Sequence, residues 1–192
     1  MTDFAAVPGV AAPTASPAPV YPAHLIEFLE LEGGRGVTLR PVMAGDADGF
    51  QVFVESLGSD TRYRRFFTGV SRLPPALARR MTDVDYTKHL CFIATAEVYG
   101  RERIVGEARY VVEGDGGAAD FAIAVHDDWQ TSGIGSRMLR VLEGAARGAG
   151  LKRLTGDVLA GNRKALDFMR QRGFQVLANR GDARLVRVEK LL

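Results

Sequence analysis

An apolar run that ends in a polar corner and meets two glycines at the start of an amphipathic stripe defines a strand–loop–helix unit in the middle of this chain. The segment is FAIAVHDDWQTSGIG, residues 121–135. Beyond Gly135, the residues Met138, Leu139, Leu142, Ala145 and Ala146 recur at helical spacing, and the stripe stops at Gly148–Ala149–Gly150. A helix is therefore expected between the two glycine clusters. The loop delivers Gln130–x–x–Gly133–x–Gly135 to that helix's N-terminus, where free N–H groups point outward and the dipole adds roughly half a positive charge. Glycine at 133 and 135 removes the Cβ atoms that would keep a phosphate off the backbone. The segment reads as an anion cradle, with a plain strand–helix turn as the alternative. A Walker loop is ruled out because no Gly-Lys-Ser/Thr ending exists. A dinucleotide fingerprint fails because Met138 stands where it needs a third glycine.

Around this unit the pattern alternates between strands and helices. GVTLRP (36–41) reads as a first strand. Asp46 is placed to cap a helix carrying Phe50, Phe53, Val54 and Leu57, and Ser59 to cap a shorter one, DTRYRRFF. A third helix is expected from Leu73–Pro74–Pro75 to about Met81. Strands at Leu90–Ala96, Ile104–Val112 and Ala119–Val125, separated by the turns Tyr99–Glu102 and Gly114–Gly117, predict an antiparallel meander. A strand at Arg153–Leu159 leads to a helix at Arg163–Arg172, with Asn162 as N-cap and Gly173 after its end. A closing hairpin (Gln175–Leu177, Leu185–Glu189) turns at Asn179–Asp182. The order predicts an α+β domain built on a mixed, mostly antiparallel sheet with helices on its faces.

The 192 residues suit one domain, expected over 24–192. The first 23 residues, rich in alanine and proline and without periodicity, are expected to form a flexible extension. They lack a basic start, so a signal peptide fits poorly, and no apolar run reaches membrane-span length. A cytoplasmic location is the expectation. A net charge of +2 argues for neither nucleic-acid nor membrane partners. The lone cysteine, Cys91, lies in an apolar run and is expected to be a buried hydrophobe; His24, His89 and His126 are too scattered for a metal site, and none is expected.

The QxxGxG loop after V-x-D-x-x, with Asn162 further on and Gly173–Phe174 behind its helix, resembles the GNAT superfamily of acyl-CoA-dependent N-acyltransferases over about residues 36–180. The resemblance implies acetyl-CoA as co-substrate and a splayed strand pair at the CoA site. By position it places Gln130, Ser132, Gly133, Ile134, Gly135 and Ser136 at the pyrophosphate. Ile123, Ala124 and Val125 fall along pantetheine, and Asn162 near the thioester. The pieces RYRRFF (62–67), TDVDYTKH (82–89) and ADFAIAVHDDWQ (119–130) look like the catalytic domain of bacterial protein lysine acetyltransferases that modify acyl-CoA synthetases. Those proteins often carry a ligase-like or cyclic-nucleotide-binding domain, and with 192 residues neither is expected here.

Transfer to an amine requires a base, since a free lysine is neutral only about once in a few thousand at pH 7. The close relatives place a glutamate on the strand just before a Phe; here the position holds Asp120, with Glu107 on the neighbouring strand as second candidate. Many superfamily members carry a tyrosine six residues after the asparagine, and here that residue is Phe168. Arg62 and Arg65 are expected to meet the acceptor, with Arg64 beside them. The acceptor is an amine, a protein lysine first and a small-molecule amine next, and the oligomeric state is left open. A catalytically weak acyl-CoA-binding module is the alternative of a different class.

Overall fold

The computed structural model describes residues 19–31, 34–114, 116–179 and 181–192. Among the described residues eight strands form one sheet: β1 (Glu27–Leu31), β2 (Arg35–Pro41), β3 (His89–Val98), β4 (Arg101–Glu113), β5 (Ala118–Val125), β6 (Arg153–Leu159), β7 (Gln175–Ala178) and β8 (Leu185–Leu191). Their order is β1-β2-β3-β4-β5-β6-β8-β7. Neighbours are antiparallel apart from β5 and β6, which run parallel. Among the described residues five α-helices accompany them: α1 (Ala47–Ser56), α2 (Ser59–Phe66), α3 (Pro75–Thr82), α4 (Ile134–Gly148) and α5 (Arg163–Arg170). The expected α+β class and mixed, mostly antiparallel sheet are what the chain adopts.

Alternation along the central strands sorts the core into two layers. Phe92, Ala108, Tyr110 and Phe121 face Met138, Leu139 and Leu142 of α4. Cys91, Ile93 and Ala124 face the other way, onto Phe50, Phe53 and Val54 of α1 and Ala78 of α3. The sheet thus carries helices on both faces. Cys91 is fully buried, and desolvation pushes its thiol up to about 12, which suits a packing role.

Several local expectations change. β1 was not foreseen, because EFLEL puts Glu27 on the inward side and leaves Phe28 82% exposed. Glu27 is accommodated there by Arg137 of α4, whose Nε donates to its carboxylate at 2.7 Å. Asp46 is the N-cap of α1 but its side chain makes no cap hydrogen bond to that helix. Its carboxylate instead accepts from Met43 N and from both terminal nitrogens of Arg40 at 2.7–2.8 Å. Ser59 is the first residue of α2 rather than its cap, and Gly58 holds that position.

Residues 1–18 of the expected extension lie outside the described residues, as do Asp115 and Arg180 in the two expected turns. Tyr21, inside the expected extension, is packed: its ring meets Tyr86 edge-on at 5.8 Å and its hydroxyl donates to Pro41 O at 3.1 Å. The packed chain therefore includes Tyr21, ahead of His24. Among the described residues no helix is long and apolar enough to cross a membrane.

Candidate active site

The parallel pairing of β5 and β6 lasts three rungs, Ala118↔Arg153, Ala119↔Leu154 and Asp120↔Thr155, and then stops although both strands continue. The two strands splay from that point. Gly156 stands at the fork, where a Cβ would come within 2.9 Å of Phe121 O and 3.0 Å of the Phe121 ring. Absence of a side chain at 156 is what allows the strands to touch here before they part. The fork opens into a groove of about 670 Å³ whose lining includes Asp120–Val125, Gly156–Val158 and the start of α4.

At the start of α4, Gly133 adopts φ +91° as N-cap, a conformation that strains any L side chain. No side chain caps the helix, so its first-turn N–H groups are not occupied by a capping oxygen. Gly133, Gly135 and Ser136 line the groove. Ile134 is fully buried in the core and Ser132 turns its hydroxyl inward to Trp129 O at 2.6 Å, and neither lines the groove. Gln130 bridges three elements: its Nε2 donates to Val125 O at 3.2 Å and Thr61 Oγ1 at 3.3 Å, and its Oε1 accepts from Lys164 Nζ at 2.7 Å. Asn162 caps α5 by accepting from Ala165 N at 3.3 Å, and it lines the groove, as do Ile123, Ala124 and Val125.

Two cations at this end were not singled out from sequence. Lys164 sits in the first turn of α5, and Arg172 stacks on Phe168 with its guanidinium 3.7 Å from the ring centre while donating to Ser136 Oγ. The four-residue spacing of Phe168 and Arg172 was the available signal, since i,i+4 residues share a helix face. Together with the uncapped α4 terminus, these cations make the donor end of the groove a fit for phosphate groups.

Asp120 occupies the last paired rung and lines the groove. Desolvation, with the nearby carboxylates Glu113 and Asp157, raises its pKa to about 6 against the opposing pull of Arg187 and Arg65. Such a group is mostly ionised at pH 7 yet basic enough to take a proton. Glu107 is different. It is 0% exposed and does not line the groove. Arg65 Nε donates to its Oε1 at 2.6 Å, and Arg109 donates to its Oε2 through Nε and Nη2 at 2.8 and 2.7 Å. Burial pushes its pKa up, but the two guanidiniums outweigh this and hold it below the usual carboxylate range. A carboxylate so paired is a poor proton acceptor, which places Glu107 in a structural triad.

The arginines of α2 divide in the same way. Arg65 lines the groove while bridging to Glu107. Arg62 does not line it; its Nη1 donates to Leu57 O at 2.7 Å and Glu55 O at 3.2 Å, closing the end of α1. Thr61, Arg64 and Phe66 complete the α2 contribution to the wall, and Phe67 follows at its C-cap.

Residues 52–174 match the acetyltransferase (GNAT) family. A Pseudomonas aeruginosa acetyltransferase is 30% identical over 151 residues, covering 79% of this chain and 80% of that protein. The acetyltransferase Pat of Mycolicibacterium smegmatis is 33% identical over 143 residues, which are 72% of this chain and 42% of Pat, so the chain corresponds to less than half of that relative. The crystal structure of the GNAT domain of S. lividans PAT superposes with a TM-score of 0.81 at 26% identity, covering 90% of this chain and all of that domain.

Proposed function

Because the chain belongs to the acetyltransferase (GNAT) family, whose members use acetyl-CoA as co-substrate, we propose that it moves the acetyl group to the side-chain amine of a protein lysine, with Asp120 as the base. The observation that carries this reading is Asp120 at the fork of β5 and β6, facing the groove, with a pKa of about 6. The lysine acceptor is supported by the likeness to M. smegmatis Pat and S. lividans PAT.

Acetyl-CoA supplies an activated acyl thioester. The chain's own residues do the rest. The first turn of α4, with Lys164 and Arg172 beside it, receives the phosphates. The edge of β5 from Ile123 to Val125, freed by the splay, offers backbone hydrogen bonds to an extended arm. A lysine arrives protonated, and freeing its lone pair costs roughly 4–5 kcal/mol at pH 7. Asp120, directly or through one water, takes that proton as the amine attacks. Asp120, Ala122 and Ala124 share a face of β5, so small side chains leave room beside the acid for the reacting carbonyl. Phe168 lies under Arg172 and donates no proton, so the departing thiolate leaves without an acid from that position.

The test is CoA release from acetyl-CoA with acyl-CoA synthetases and lysine peptides beside polyamines and free amino acids. Saturable turnover on protein lysine, with the modified residue located by mass spectrometry, is expected. Turnover confined to polyamines or amino acids would replace the lysine reading with a small-amine acceptor. CoA binding without turnover on any amine would make the chain a binding module.

A further inference from the structure

We infer that Asp127 is a positioning residue that ties α2, the acceptor-side wall of the groove, to the donor loop, so that the two halves of the site are set together; this rests on the reading of the groove proposed above. Asp120 and Glu107 share the sheet face that carries α1 and α3, through the rung Glu107↔Ala124 and the alternation of β5. Arg65 reaches Glu107 from α2, so α2 lies on that face, while α4 packs on the other. The donor is thus held from one face, and the acceptor meets Asp120 from the face of α2.

α2 needs an external anchor. It is an eight-residue helix with no buried residue, too short to persist alone, held by the partly buried Phe66 against the core and by Arg62 to the end of α1. It nevertheless brings Arg65, Phe66 and Phe67 to the groove. Its C-terminal half is fastened by Arg65 to Glu107. Its N-terminus begins at Gly58, which has no side chain to cap it. Asp127, from the loop after β5, takes that place: Oδ2 accepts from Gly58 N at 2.8 Å, and Oδ1 accepts from Thr61 Oγ1 at 2.6 Å. A carboxylate at a helix N-terminus satisfies a free N–H and complements the dipole. The fit is close, since a Cβ on Gly58 would stand 3.1 Å from Oδ2. Desolvation raises the pKa of Asp127, and the hydrogen bonds from Thr61 and Gly58 more than offset it, keeping the group below the usual range and ionised.

The same hydroxyl of Thr61 accepts from Gln130 Nε2, whose Oε1 takes Lys164 Nζ. A continuous polar chain therefore runs Asp127–Thr61–Gln130–Lys164, from the acceptor wall through the donor loop to α5. A donor that orders Gln130–Ser136 orders α2 by this route.

The experiment uses the full chain, wild type against Asp127→Ala and Asp127→Asn. Backbone hydrogen exchange over residues 59–66 is read with and without CoA, CoA affinity by calorimetry, and turnover with a short lysine peptide. In Asp127→Ala, exchange in α2 should quicken at least tenfold and lose its slowing by CoA. Peptide kcat/KM should fall at least tenfold while the KM for acetyl-CoA stays within about threefold. Asp127→Asn can still accept from Gly58 and donate to Thr61, so it should recover most of both effects. Unchanged α2 exchange in Asp127→Ala overturns the inference, as does equal worsening of the peptide and acetyl-CoA constants or a failure of Asn to recover. Wild-type protein that does not bind CoA would instead overturn the reading of the groove, and the basal exchange comparison would still decide the tether.

Discussion

Replacing Asp120 by Asn should make the protein more stable and far less active at the same pH. The folded carboxyl titrates at about 6 against an ordinary 3.8. Two pKa units correspond to about 3 kcal/mol, and solvent screening of a half-buried group reduces this to about 1–2 kcal/mol. The sign follows from the raised pKa: the native state holds the proton more tightly, so Asp120 costs nothing below about pH 4, and its penalty builds as pH rises from there to about 6 and levels off above it. Asn carries no charge and escapes that penalty. Thermal melts followed by circular dichroism should therefore show Asp120→Asn about 2–6 °C above wild type at pH 7.5, with the difference shrinking toward pH 4. Turnover should move the other way. Wild-type kcat at saturating acceptor should rise with pH through an apparent pKa near 6, and the variant should be slower by about 10²–10⁴-fold at pH 7, the usual worth of a general base. Its deficit should narrow as pH approaches the acceptor's own pKa, where neutral amine is abundant. CoA affinity by calorimetry should be unchanged. Near-normal turnover of Asp120→Asn at pH 7 would refute the assignment of the base. A variant less stable than wild type at pH 7.5 would refute the account of its environment.

Glu107→Gln should leave Arg65 and Arg109 buried with too little negative charge. Breaking such a triad costs about 3–5 kcal/mol, so the melting temperature should drop by about 10 °C; a stable but inactive variant would return Glu107 to the candidate bases. Gly135→Val should weaken CoA binding at least tenfold by calorimetry with an unchanged circular dichroism spectrum. A Cβ there makes ordinary contacts with Val125 and Phe168 at 3.6 and 3.7 Å, so the backbone tolerates the change while the γ carbons enter the groove. Deleting residues 1–22 should lower the melting temperature by about 2–6 °C, because it removes the hydrogen bond and ring contact of Tyr21, together about 1–2 kcal/mol.

The strand–loop–helix unit was legible because its signals are local. A period of two that changes to 3.6 across Gln130–Gly135 specifies a strand, a corner and a helix start whatever surrounds them. The same holds for Asn162, whose capping role depends on the next three residues. The three-stranded meander followed from turn residues between alternating runs. β1 escaped because its inward Glu27 is acceptable only with Arg137 of α4, 110 residues away, and no local pattern encodes such a partner. Local spacing predicts Ser59 as a cap, yet Gly58 holds that position and its N–H donates to Asp127, 69 residues away.

Charge pairing and strand separation were decided by the tertiary structure alone. Asp120 and Glu107 look alike in the sequence as acids on adjacent strands. Only the assembled sheet distinguishes them: two guanidiniums neutralise one in the core, while the other is left at the fork among Glu113 and Asp157. The fork itself depends on Gly156 meeting Phe121 across two strands that are far apart in the chain. Residue types and local periodicity set which elements form. Burial and long-range neighbours, which no window of sequence contains, set which carboxylate keeps the basicity to work.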